Sequence, residues 1–550
     1  MLTKKRKTFI NTEVSMKQLV RILRRFSTGT ITATVMMIAV FPTVAQTADE
    51  VWGLNQRDMS VGARMTGMSI RGFAGFGDYS AMYGNPAGLG YVDGTKLVAS
   101  LRGFTAESNS DIFTGGFDLD HATTSMENTG LGNLVFLYNV PVARGKLVGG
   151  LALSQTRDFS RGLNFVGENV ESTISTSFLP FDSEYSIGQD GNLGELADLP
   201  FAAFNGGIFE YFRDLHENGE YPFYSAVVPG TLVEQSVLVS ESGEAYELNA
   251  AMAWQATKDI MVGASVNIFI GDYRFDYNFT ENDILNENTA DQYNVLLDDD
   301  TLLEGFHELD YQQRLRSDMA GVNLRVGMSG TLKDNRFRFG VTLESPTWSY
   351  FEESYGEQFT TRFDLGGSVT YGDQDDDVGN GIFEYSVRSP WRLAAGLRWD
   401  IGRLILTGEG EIMDWTQLKL SSDEGGEVFR EVNRTIDNEY GIALNYAFGA
   451  EFGLGSFDLR AGVAFRPSPY KDPSTPSGKR AVGERFGTSF GVGVQLTDGI
   501  RVDLGLHSEE ERNVWDLYPS DDAGPRQESR FEIDELLARR MAVLQLTVRL

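Results

Sequence analysis

The chain has 550 residues, a formal net charge of −31 and no cysteine. Without thiols there are no disulfides, no thiol catalysis and no lipoprotein anchor on an N-terminal cysteine, and the acidity excludes a nucleic-acid partner. Beyond residue 45 no apolar run reaches the roughly 18 residues that a membrane-spanning helix needs, so helical spans are excluded from the body of the chain.

Residues 1–45 read as an export signal. Lys17, Arg21, Arg24 and Arg25 form a basic region after Met16, an alternative start. Thr30 to Phe41 is apolar, and Thr43-Val44-Ala45 supplies small residues for cleavage. The other reading, a short membrane anchor, has too short an apolar stretch. Residues 1–45 carry eight Lys/Arg and one Glu, so their removal leaves a net charge near −38.

Residues 46–94 do not alternate. They contain Gly62-Ala63-Arg64 and then Gly72-Phe73-Ala74-Gly75-Phe76-Gly77-Asp78-Tyr79-Ser80-Ala81-Met82-Tyr83-Gly84-Asn85-Pro86-Ala87-Gly88-Leu89. Glycine argues against a helix throughout, and the apolar content argues against a disordered tail. Asn85, Pro86 and Ala87 suit a close buried contact, since Pro fixes a torsion, Asn bonds nearby backbone and Ala packs tightly. Read alone, the tripeptide also starts an ordinary surface turn.

From residue 95 to the end, apolar and polar residues alternate in strand-length runs. Trp391, Leu393, Ala395, Leu397 and Trp399 share one face, opposite Arg392, Ala394, Gly396, Arg398 and Asp400. The same holds for Phe457, Leu459, Ala461, Val463 and Phe465, and for Ile500, Val502, Leu504 and Leu506. Short connections fall at Ala143–Lys146, Ala256–Asp259, Lys333–Arg336, Asp400–Arg403, Gly453–Ser456 and Thr497–Gly499. Long ones lie between them, near 106–129, 160–244, 279–308, 350–382, 418–434, 467–484 and 508–536. Six turns alternating with seven loops predict fourteen strands with both ends on the short-turn, periplasmic side. The expected fold is all-β: a fourteen-stranded antiparallel transmembrane β-barrel over 95–550. Residues 46–94, anchored on the periplasmic side, are then placed most economically inside the lumen as a plug.

Several residues are candidates for ligand contact. In the longest loop, Phe201, Phe204, Ile208, Phe212 and Leu215 recur at helical spacing. One helix carrying that face would form an external greasy groove, or a lid packed on the other loops. In the plug, Phe73, Phe76 and Tyr83 are expected to line a lumen pocket. Asp373, Asp375, Asp377 and Glu384 match positions of an EF-hand loop, but Val378 stands where glycine is needed, so a solvated acidic loop competes with calcium. Gly487-Thr488-Ser489-Phe490-Gly491 matches a hydrolase elbow yet lies within continuous strand alternation. The histidines at 121, 216, 307 and 507 lack metal-ligand spacing, so no metal and no cofactor are expected.

The segment from Gly62-Ala63-Arg64 to Asp78-Tyr79-Ser80-Ala81-Met82-Tyr83-Gly84-Asn85-Pro86-Ala87-Gly88-Leu89 resembles the start of the FadL/TodX/OmpP1 outer-membrane transporters. Ser389-Pro390-Trp391-Arg392, Arg460-Ala461-Gly462 and Ser468-Pro469-Tyr470 extend the likeness. The chain departs from many such barrels by ending Thr547-Val548-Arg549-Leu550 rather than on an aromatic residue. The resemblance implies a fourteen-stranded barrel with an N-terminal hatch carrying Asn85, Pro86 and Ala87. It also implies passive uptake of hydrophobic compounds across an outer membrane, long-chain fatty acids being the best-known substrates. The expected partners are hydrophobic small molecules and outer-membrane lipid, with the chain acting as a monomer. A lipid-modifying enzyme, a structural or adhesive barrel and a general porin are the alternatives. The last two leave residues 46–94 without a purpose.

Overall fold

A computed structural model of the chain describes residues 47–57, 60–112, 122–170, 172–297, 301–332, 336–372, 381–422, 428–472, 480–516 and 532–550. The export signal expected over 1–45 lies outside the described residues, as do Asp373, Asp375 and Asp377.

Fourteen antiparallel strands close on themselves. The first half of the barrel comprises β1 Lys96–Ile112, β2 Ala122–Val140, β3 Leu147–Asp158, β4 Glu244–Gln255, β5 Ile260–Asn282, β6 Phe306–Leu332 and β7 Phe337–Glu344. The second half comprises β8 Arg392–Ile401, β9 Leu404–Asp414, β10 Ile442–Leu454, β11 Phe457–Arg466, β12 Arg480–Thr497, β13 Ile500–Asp516 and β14 Glu532–Arg549. Four strands carry a second, outer segment past an interruption: Arg161–Asn169 for β3, Val233–Ser242 for β4, Trp348–Phe363 for β7 and Gly381–Arg388 for β8. Pairing of β1 with β14, from Lys96↔Arg549 to Ile112↔Ile533, closes the ring.

The short turns at Ala143–Lys146, Ala256–Asp259, Asp400–Arg403, Gly453–Ser456 and Thr497–Gly499 join strands where the alternation places them. The loops expected at 106–129, 279–308 and 508–536 begin later than those bounds, because the preceding strands run on to Ile112, Asn282 and Asp516, and β2 resumes already at Ala122. The reason is chemical. Beyond the lipid band the outward residues turn polar (Thr105, Glu107; Ser125, Glu127, Thr129), so alternation fades while the ladder continues. Within the band, Leu134, Phe136, Leu151, Met252, Val266, Leu324, Leu397 and Leu504 stand exposed on the outer wall, as lipid-facing residues should. The opposite parity is buried and charged: Arg325, Arg392, Arg460 and Asp503 point inward.

Residues 60–92 lie across that interior. Their backbone approaches the wall closely at several inward glycines. A methyl group on Gly340 would overlap the Phe73 carbonyl, one on Gly462 the Met68 carbonyl, and one on Gly505 the Ala63 carbonyl. One on Gly263 would press on the Pro86–Ala87 peptide. These glycines belong to β7, β11, β13 and β5, so the segment touches the wall on several sides. Gly462→Val is expected to leave the barrel intact and cost about 1–3 kcal/mol of local packing. Limited proteolysis of folded barrel should then cut within 60–92, a segment protected in the parent chain.

Candidate functional site in the barrel interior

Three arginines tether the leading segment through carboxylates on the wall. Arg57 lies 2.6 Å from Glu344, Arg64 makes a forked contact with Glu451 at 2.6 and 2.8 Å, and Arg71 reaches Glu411 at 3.1 Å. Glu409 receives the backbone N–H groups of Arg71, Gly72 and Phe73. Asn85 supplies the polar anchor of its tripeptide. Its Nδ2 donates to the carbonyls of Phe73 and Met328, both at 2.9 Å, and its Oδ1 accepts from Ala87 N at 3.1 Å. Pro86 opens a short 3-10 helix over Pro86–Tyr91, where a missing N–H costs nothing.

Upstream, helix α1 (Ala48–Leu54) is started by a capping box: Thr47 accepts from Glu50 N, and the Glu50 carboxylate accepts from Thr47 N. Val51 and Trp52 dock into a cluster with Trp415, Phe429, Tyr440 and Tyr470. The hydroxyls of Tyr440 and Tyr470 both donate to Asp49 at 2.5 Å. The other side of α1 covers a cavity. Thr47, Asp49, Glu50, Gly53 and Leu54 face Arg157, Asp158 and Phe159 of the β3 region, Glu241, Tyr273, Phe275, Trp515 and Arg539. Phe159 and Tyr273 meet edge to face at 5.4 Å. The cavity holds about 70 Å³ of solvent-sized space, well under the roughly 300 Å³ at which small-molecule pockets begin. An occupant must therefore displace α1 or its neighbours.

Beside this cavity the wall is interrupted. The β2–β3 ladder covers only Asn133↔Ser154 to Val140↔Leu147, so the outer half of β2 pairs with β1 alone. Above Asp158 the chain turns inward, and its outer segment pairs with that of β4 instead. The two bends are coupled, since Phe159 N donates to the Gly243 carbonyl at 3.0 Å. Gly243 has φ +123°, and a side chain there would overlap the Asp272 carbonyl. The inward segment is braced across the lumen by Arg161. Its guanidinium forks onto Glu535, bonds Glu241 at 3.1 Å and lies 4.4 Å above the Trp515 ring. Glu535 is completed by Ser108, Asn513 and Trp515.

Of the plug aromatics singled out in the sequence, Tyr83 borders a second small cavity with Arg57, Arg71, Glu247 and Arg325. Phe73 and Phe76 are buried, Phe76 within a cluster with Met65, Met68 and Ile70. Glu384 sits on β8's outer segment opposite Glu352. Ser489 lies inside β12 in register with His507, so the G-x-S-x-G run occupies straight strand and forms no elbow. Tyr273 and Phe275 escaped sequence reading because they sit in alternation like other wall residues, Phe159 because it stands at the break after β3, and Trp515 because it falls in the long loop expected over 508–536. The helix α1 did leave a signal, the spacing Thr47 to Glu50.

No protein-family model matches the sequence, and no curated protein matches it significantly. Among solved structures the chain is similar to a Pseudomonas aeruginosa FadL homologue, at 12% identity over 90% of this chain and 100% of that one, with a TM-score of 0.50. It is also similar to the P. putida toluene transporter TodX (12% identity, 90% and 99% covered, TM-score 0.48). A third is the CymD monoaromatic hydrocarbon channel (13%, 89% and 98%, TM-score 0.46). At 12% identity the first of these likenesses bears on the fold alone: the chain shares the barrel fold of that FadL homologue.

The longest loop differs from its expected form. Phe201 and Phe204 lie on a helix over Asp198–Asn205, but Gly206 and Gly207 end it, and Phe212 precedes a separate short helix over Arg213–Glu217. No single helical face unites the five residues. Ile208 is fully buried in a cap cluster with Phe209, Phe223 and Phe178, Phe204 packs against it, and Phe201 and Phe212 stay exposed. Within this cap, burial pushes the Glu210 carboxyl up to about 7 from its ordinary value of 4.5. A raised carboxyl favours the protonated folded form, so the cap is firmest in acid and loosens as pH rises through about 7. Proteolysis of residues 160–244 should therefore quicken several-fold between mildly acidic and mildly alkaline buffer. Glu210→Gln should abolish that rise.

Proposed function

We propose that the protein is an outer-membrane channel for passive uptake of hydrophobic compounds, working as a monomer with residues 46–94 as its hatch. The observation that carries this reading is a closed barrel whose interior is filled by its own leading segment, beside an aromatic cavity and an interrupted wall. A general porin has no use for such a filling, and a structural barrel has no use for the cavity. The FadL homologue that shares the fold and the Asn85, Pro86 and Ala87 segment both support the reading.

The route follows from the geometry. A greasy molecule in water gains about 25 cal/mol for each Å² it buries, and the exposed Phe201 and Phe212 on the cap offer a first contact. From there it passes to the cavity under α1, where Phe159, Tyr273, Phe275 and Trp515 replace its hydration shell, with Tyr83 deeper along the segment. Occupation shifts α1, and the strain passes down the segment to Phe73, Phe76 and the Asn85 anchor. Exit runs sideways through the lower end of the gap, just above Asn133, where the outward residues Leu101 and Leu134 border lipid, downhill for an apolar solute. No energy source is needed. Deleting residues 85–87 should preserve assembly and change uptake several-fold, measured with a fluorescent lipophile in proteoliposomes. Unaltered uptake with intact barrels would reject the gating role. Rapid passage of sugars by the parent chain would reject the channel reading in favour of a porin.

A further inference from the structure

Asp158 belongs both to the cavity and to the opening in the wall. Its carboxylate accepts from Ser160 N at 3.0 Å, Asn128 Nδ2 at 2.9 Å and Gln155 Nε2 at 3.4 Å. The same Asn128 amide donates to Glu244 at 2.5 Å, and the Tyr246 hydroxyl donates to Glu244 at 2.6 Å. A methyl on Gly130 would lie 4.0 Å from both Glu244 and the Tyr246 hydroxyl. These side chains of β3 and β4 therefore stand directly against β2 where the backbone ladder is missing. Two carboxylates share one amide in the gap. The hydrogen bonds described to them come from Ser160 N, Asn128, Gln155 and Tyr246, all donors, the arrangement that holds carboxylates as acceptors.

Of the nearby cations, Arg102 acts on Asp158 through its charge. Arg102 donates to the Gln155 carbonyl at 3.4 Å, Arg157 lies 5.7 Å from the Phe159 ring, and Arg539 donates to Glu511 at 2.5 Å. Around the cavity Glu241 is answered by Arg161 at 3.1 Å, and the remaining carboxylates Asp49, Glu50 and Asp158 face two guanidinium groups, Arg157 and Arg539. The apolar walls accept any greasy body, but the surplus negative charge opposes an anionic head wherever water is thin.

We infer that Asp158 and Glu244 are specificity determinants, and that this channel takes uncharged hydrophobic molecules in preference to fatty-acid anions. The inference rests on the channel reading and narrows its substrate class. It is tested on the full chain in detergent micelles with 1-hexadecanol and palmitate, which share a tail and differ in the head. At about pH 8 palmitate is ionised, and the parent chain should bind the alcohol roughly tenfold more tightly, a difference of about 1.4 kcal/mol. The isosteric pair Asp158→Asn and Glu244→Gln should erase most of that preference by strengthening palmitate binding more than it alters binding of the alcohol. Heat-shifted electrophoretic mobility checks that the variant barrel has formed; if it has not, the ratio in the parent chain decides. Equal binding of both ligands by the parent chain, or an unaltered preference in a folded variant, overturns the inference and leaves the channel reading standing. Binding of neither ligand by the parent chain overturns the channel reading and the inference with it.

Discussion

Closure of the backbone ladder is the constraint on which everything else depends. In hydrocarbon an unpaired N–H or C=O costs several kcal/mol, so a spanning sheet must have no edge. Pairing of β1 with β14 along their whole length removes the edge that the chain ends would leave. Once the ring is closed, every second side chain has nowhere to go but inward. The interior then has to satisfy its own polar groups. Arg460 does so with Glu451 and Asp503, and Arg325 with Glu344 and the Met82 carbonyl.

The outer half of β2 is the place where the constraint is relaxed, and the structure shows what offsets it. The partner strand is not lost but redirected, since β3's outer segment recovers a full ladder with β4. Its new position needs a brace, because a free inward strand would swing back to the wall. Arg161 on Glu535 is that brace, and removing one member of such a buried pair costs about 3–5 kcal/mol. Side chains rather than backbone cover the exposed stretch, with Asn128 reaching Asp158 and Glu244. A seam held by side chains opens more readily than a ladder. That difference is what a sideways exit requires.

Strand number, strand order and wall parity were legible in the sequence, because lipid on one side and a polar lumen on the other impose a period of two that single residues report. Trp391, Leu393, Leu397 and Trp399 are exposed where alternation puts them, and Arg392 is buried opposite. The outer ends of the strands were not legible, since Thr105 and Glu107 face water and carry no alternation. The bends were hidden for a different reason. Gly243 and Ser160 look like ordinary loop residues until the pairing of β3 with β4 shows that both chains turn together. The loop aromatics misled through spacing alone. Gly206-Gly207 stops the helix that Phe201 and Phe204 begin, and Phe212 belongs to the next turn.

The wiring of the leading segment bears on whether it can move. Each of its three arginines sits on a carboxylate that already has a second arginine of the wall. Glu344 keeps Arg325 at 2.7 Å, Glu451 keeps Arg460 at 2.6 Å, and Glu411 keeps Arg392 at 3.9 Å. Withdrawing the segment therefore leaves those three carboxylates paired, with the departing arginines carrying their charge into water, whereas Glu409 gives up the backbone N–H groups of Arg71, Gly72 and Phe73 and sets the main electrostatic cost of the movement. The rest of the attachment is close backbone packing against glycines, hydrogen bonds such as that of Asn85 to the Met328 carbonyl, and small separate apolar clusters in which Met82 and Leu89 meet Val135 and Val148, strong only while the fit is kept. Apolar plugging of the same bore would have been tighter and harder to reverse. An interior held by shared ion pairs and shape, rather than by a continuous greasy core, is one whose filling can leave without unravelling the wall that holds it.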